Sequence, residues 1–180
     1  MEKTDDLTID FVVKKYITFF SKYGLTESKI RNGYNVWAKN GATLVKDYVW
    51  YLFQSLLLET AKQSNKEVEL YRSQRDIYFE MLYFRRRYEK VKANELLQLF
   101  FDADLKKTFL ETNLELRVKI ISGHCCEYCD SLHQKIYEPL DVIKNKYLGS
   151  QQCTNPNGCN CTYSCVSLRD SKGRLIRKSV

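Results

Sequence analysis

Seven cysteines lie between residues 125 and 165, and none precedes them. Thiolates are the softest metal ligands a protein offers, and their spacing here is that of a four-coordinate site. Cys126-Glu-Tyr-Cys129 is a CxxC turn, which lets two sulfurs converge on one ion. Cys153, Cys159 and Cys161 follow in a second cluster that can close the tetrahedron. Asn155-Pro-Asn-Gly158 has the composition of a tight turn, which would bring Cys153 close to Cys159 and Cys161. The expected ligands are therefore Cys126, Cys129, Cys153, Cys159 and Cys161 around one structural Zn2+, with the choice of four among these five open. Pairing Cys153 with Cys161 or Cys159 is preferred to pairing Cys159 with Cys161, because an i, i+2 pair must bend an extended segment.

Other polar groups fall outside that set. Cys125 is one residue out of register, since Tyr128 stands three residues after it. Cys165 sits in a predicted strand and reads as a small core residue. His124 and His133, the only histidines, read as bystanders because five thiols already oversupply the site. A catalytic zinc would keep one position for water and favour His or Glu ligands, whereas this set is thiol-rich and closed. An HNH-type nuclease would need a general-base histidine with partner ligands, which neither histidine has in the sequence. A thioredoxin-like CxxC would open a helix inside a βαβ unit, and this one does not.

The elements that must position these thiols are mostly helical. Residues 7–22 carry apolar positions at helical spacing, with Thr8 or Asp10 near the start and Gly24 as a C-cap. Thr26 opens a second helix with Ile30, Tyr34 and Trp37 on one face, ending near Asn40-Gly41. A third runs from Ala42 to about Ser64, apolar nearly all round. Residues 66–92 hold a long stripe, and Asn94 is a suitable N-cap for a helix through Leu97, Phe101 and Phe109. From Leu114 to Ile120 the period changes to two, which signals a half-buried strand. Lys135 to Tyr137 is a short extended piece, Pro139 starts a helical turn capped by Gly149, and Cys161 to Leu168 with Arg174 to Lys178 reads as a hairpin. The fold class is α+β, mostly α. A helical region of about five helices (1–112) precedes a β-rich zinc-binding subdomain (113–180).

The run Ser122 to Lys135 (SGHCCEYCDSLHQK), then Pro139-Leu140-Asp141, then Cys153 to Cys161 (CTNPNGCNC) resembles the cysteine-rich tail of phage head morphogenesis proteins, the minor head proteins. That tail has the form CPxCxxLDGK, a spacer, then HPxCxC. On matching positions Cys126 and Cys129 form the first pair, Cys159 and Cys161 form CxC, and Cys153 stands near the place of the histidine. Glu127 replaces the proline, and His133-Gln134 replaces the Asp-Gly pair, so the turn after the CxxC must form without glycine. The resemblance implies a structural or assembly role in phage or prophage particles.

Charge and hydropathy narrow the partners. The net charge of +7, from 29 basic and 22 acidic residues, permits nucleic-acid contact, but acids are interleaved throughout. Arg85-Arg86-Arg87 reads as a solvated helix face with ion pairs to Glu80 and Glu89. The longest uncharged run, Tyr48 to Leu58, is too short to cross a membrane. The N-terminus lacks the order of a secretory signal, so a cytoplasmic (or virion) protein with reduced thiols is expected. The resulting expectation is a non-enzymatic, zinc-stabilised assembly protein with a protein partner or homo-oligomer and no small-molecule substrate. Its rival is a zinc-dependent nucleic-acid-binding protein, for which Tyr128, Tyr137, Tyr147 and Tyr163 would supply stacking faces.

Overall fold

A computed structural model describes residues 7–41 and 44–178. The chain is α+β and mostly α, with seven α-helices, a π-helical turn and one three-stranded sheet among the described residues. No described helix is long and apolar enough to cross a membrane. By packing, the chain divides into residues 1–59 and 60–180. The expected division at 112/113 instead marks the change from helix to strand.

The first unit holds α1 (Ile9–Ser21), α2 (Glu27–Lys39) and most of α3 (Val45–Gln63). Thr8 caps α1 by accepting from the Phe11 amide at 3.2 Å, and Thr26 caps α2 by accepting from Lys29 at 3.3 Å. The expected start of the third helix at Ala42 lies outside the described residues; α3 begins at Val45. Val12, Tyr16, Phe20, Ile30, Val49 and Phe53 form the core, with Tyr16 edge-on to Phe53 at 5.9 Å. Tyr48 is buried and donates its hydroxyl to the Ile30 carbonyl at 2.8 Å, so its polar tip is satisfied.

The second unit carries the cysteines. Helices α4 (Glu67–Phe84) and α5 (Asn94–Glu111) pack on each other, joined through the π turn Arg85–Glu89. The predicted helix over 66–92 thus ends early, where Lys90 adopts φ 55°. A left-handed residue cannot continue a right-handed helix. The sheet has the order β2-β1-β3, with β1 (Leu116–Ile121) antiparallel to both β2 (Ile136–Tyr137) and β3 (Thr162–Ser167). Leu116, Val118 and Ile120 are buried and alternate with half-buried neighbours, as period two requires.

The chain end forms the expected hairpin only as isolated bridges. Asp170 and Arg174 close its turn, and Arg177 pairs with Leu114. Between strands lie α6 (Glu127–Ser131) and α7 (Pro139–Asn145). Lys146, at φ 47°, terminates α7 where Gly149 was expected to do so. Gly149 instead lies against α5, where an added Cβ would stand 2.9 Å from the Asn94 carbonyl. The turn after the CxxC does form without glycine: Gln134 takes φ 62°, and its amide donates to the Ile120 carbonyl at 2.8 Å.

Candidate metal centre

Cys126 is the N-cap of α6 and Cys129 lies within it, so one short helical turn aims both sulfurs the same way. After α7, Asn155 to Gly158 close the expected turn, with the Gly158 amide donating to the Asn155 carbonyl at 3.1 Å and Gly158 at φ 87°. That turn separates the three later cysteines rather than making them compete. Cys153 stands 3.9 Å from Cys126, and Cys159 stands 3.9 Å from Cys129. Cys161 approaches Cys125 at 3.5 Å.

Six sulfurs therefore gather, in two groups of four. Cys125, Cys126, Cys129 and Cys153 lie within 4.8 Å of one another, and so do Cys125, Cys129, Cys159 and Cys161. All five cysteines singled out by spacing lie in the cluster, and Cys159 and Cys161 fall in the same group despite their i, i+2 separation. Cys125, which the register excluded, stands in both groups. Its place follows from β1, which ends at Ile121 and leads through Gly123 to the sulfurs at the sheet end. Cys165 is exposed on β3, a correction to its expected core role.

The cluster belongs to the hydrophobic core. Cys129 and Cys159 are fully buried and pack with Leu82, Ala93, Leu97 and Phe101. Backbone amides reach the sulfurs from several sides. Gly123 donates to Cys161 at 3.3 Å, and Asn160, Thr154 and Asn155 approach Cys125, Cys126 and Cys153 respectively. Gly123 is needed for this approach, since a Cβ there would meet the Asn160 carbonyl at 2.7 Å.

Titration of the thiols reflects these surroundings. Burial pushes Cys159 up to about 12 and raises Cys129 further. At Cys126 burial acts in the same sense but is outweighed by the Cys129 and Thr154 amides and by neighbouring thiols, which bring it to about 6. A bound cation would deprotonate the whole set.

Two supports come from outside the cysteine segment. Arg86 donates from its guanidinium to the Cys159 carbonyl at 2.7 Å and is half-buried beside that thiol. The expected solvated arginine face is thus only partly present. Arg85 pairs with Glu89 at 2.7 Å, whereas Arg86 turns inward, from a π turn whose extra residue per turn shifts the register of α4. Asn94 is the first residue of α5 and not its N-cap, because its side chain is engaged elsewhere. Its Oδ1 accepts from the Cys159 amide at 3.0 Å. Asn94→Ala leaves that donor unpaired beside the sulfurs and is expected to destabilise the protein by about 1–3 kcal/mol. Denaturant unfolding of the metal-loaded variant measures this, and an unchanged midpoint would contradict it.

The histidines are engaged in the polar rim. His133 accepts from the Ser122 amide through Nδ1 at 3.1 Å, and His124 pairs with Asp130 at 3.0 Å. Ser122 donates its hydroxyl to Asp130 at 2.5 Å, so hydroxyl and imidazole are not aligned as nucleophile and base. Neither Asn94 nor Arg86 carried a local signal of its role, because each acts on a residue more than sixty positions away. The doubled Cys125-Cys126 was the one available hint of a sixth clustered sulfur.

The six sulfurs pass the tests for a thiolate metal centre. Four sulfurs at about 2.3 Å from one zinc stand about 3.8 Å apart along each tetrahedral edge, close to the observed 3.5–3.9 Å contacts. Amide donors and a nearby guanidinium offset the negative charge such a centre retains. No protein-family model matches the chain, and neither curated proteins nor solved structures gave a significant match.

Proposed function

We propose that the protein is a non-enzymatic structural or assembly component whose second unit is held by thiolate-bound zinc. The observation that carries this reading is the enclosure of the sulfurs in the same core as α4, α5 and β1. A ligand set built from buried thiolates staples a fold. An all-sulfur set of buried and half-buried cysteines suits a closed structural centre rather than a catalytic one, which keeps a position for water. Zinc fits better than a harder cation because all the donors are sulfur. Such a protein keeps its thiols reduced, in keeping with a cytoplasmic or virion setting.

The minor-head resemblance supports an assembly role. The turn where that tail has glycine is reproduced here by Gln134 in the left-handed region. The partner is then a protein, either a second copy or another particle component. Apolar side chains left on the surface, Leu140 at 78% and Ile136 at 58% exposure, suit such contacts. Sedimentation of the zinc-loaded protein at low and high salt, with and without single-stranded DNA, tests the reading. Self-association or partner binding that is insensitive to salt is expected. DNA binding that weakens steeply with salt would overturn it in favour of a nucleic-acid-binding protein.

A further inference from the structure

The two sulfur groups are not alternatives for one ion. They share Cys125 and Cys129, and each is completed by its own pair, Cys126 with Cys153 and Cys159 with Cys161. Two tetrahedra that share an edge have this connectivity. We infer that the six cysteines hold two zinc ions in a binuclear cluster, with Cys125 and Cys129 as bridging thiolates and the other four as terminal ligands. The inference rests on the zinc reading above and adds its stoichiometry and ligand roles.

Three observations carry it. The shared sulfurs are central: Cys125 and Cys129 belong to both groups, so each lies within 4.8 Å of the other five sulfurs. The sulfur contacts in both halves have the length of tetrahedral edges. Cys126 to Cys153 measures 3.9 Å in one half, and Cys125 to Cys161 measures 3.5 Å in the other. Finally, a single zinc would leave two thiols without an ion in direct contact with the ligands, and Cys159 and Cys161 are both buried.

Charge does not oppose the second ion. Two divalent cations with six thiolates carry the same formal double negative charge as one cation with four thiolates. The residual charge falls where Arg86 and the Gly123 amide already point. Occupation of both halves also explains the adjacent pair Cys125-Cys126. The bridge and a terminal ligand come from neighbouring residues, while α6 returns the second bridge, Cys129, three positions later.

Native mass spectrometry of the zinc-loaded protein, with zinc X-ray absorption on the same sample, tests the cluster. Two zinc ions per chain, an all-sulfur first shell and a zinc–zinc scattering shell are expected. One zinc per chain, or two without a metal–metal shell, overturns the binuclear cluster and leaves a mononuclear zinc protein standing. Absence of zinc overturns both readings, as does iron accompanied by labile sulfide. Cys125→Ser adds a second readout. Loss of a bridge lowers the content from two zinc ions to one or none, whereas in a mononuclear site built on Cys126, Cys129, Cys153 and either later thiol it stays at one.

Discussion

Cys129→Ser is expected to abolish metal binding and, with it, the folded state of the second unit. Cys129 is fully buried, belongs to both sulfur groups, and shares a core with Leu82, Leu97, Phe101 and Ile120. Thiolate zinc sites in small domains contribute apparent free energies of roughly 10–16 kcal/mol. The whole stability of a domain is about 5–15 kcal/mol. A serine hydroxyl does not replace the thiolate, and it leaves a polar group among apolar side chains. The variant should therefore lose zinc and its cooperative unfolding transition together, as seen by elemental analysis and near-UV circular dichroism. Cys165→Ser is the matched control. Its side chain is exposed and apart from the cluster, so a change within about 0.5 kcal/mol is expected. Full zinc content and an unaltered transition in Cys129→Ser would contradict the account.

Phe101→Ala probes the same core from the helical side. Phe101 is 7% exposed and meets Tyr163 edge-on at 4.8 Å. Tyr163 is fixed in turn, because its hydroxyl accepts from the Leu148 amide at 3.0 Å. Truncation opens a cavity between α5 and β3 beside the cysteines, and phenylalanine-to-alanine changes of this kind cost about 3–5 kcal/mol. Equilibrium unfolding in denaturant should show that loss, and a chelator should strip zinc from the variant faster than from the parent. A shift below about 1 kcal/mol would mean that the helical pair and the metal centre are separate folding units. The helical pair and the cysteines lie within the same compact unit, residues 60–180.

The sequence displayed what local chemistry can display. Thr8 and Thr26 cap the helices they precede, and the alternation from Leu114 to Ile120 is a strand with one buried face. The CxxC and its three later partners do converge. The misreadings share a physical cause. Asn94 looks like a cap because asparagine accepts hydrogen bonds, but which amide it serves is decided by where Cys159 arrives. Arg86 looks solvated because its neighbours are charged, yet the π turn places it against the cysteine loop. Cys125 was excluded by counting three residues along the chain, although its partners lie 36 positions away at Cys161 as well as nearby at Cys129. Cys165 pairs with buried Val118 across the sheet but lies in an edge strand, and it remains exposed. Spacing found five of the six clustered sulfurs; it did not show that they fall into two overlapping groups.

The most direct test of the central claim is the metal content per chain of protein purified under reducing conditions, with thiol alkylation before and after chelation. The account predicts bound zinc, Cys165 alone reactive at first, and six further thiols exposed when the metal is removed. Protein without metal, with all seven thiols equally reactive from the start, would contradict it.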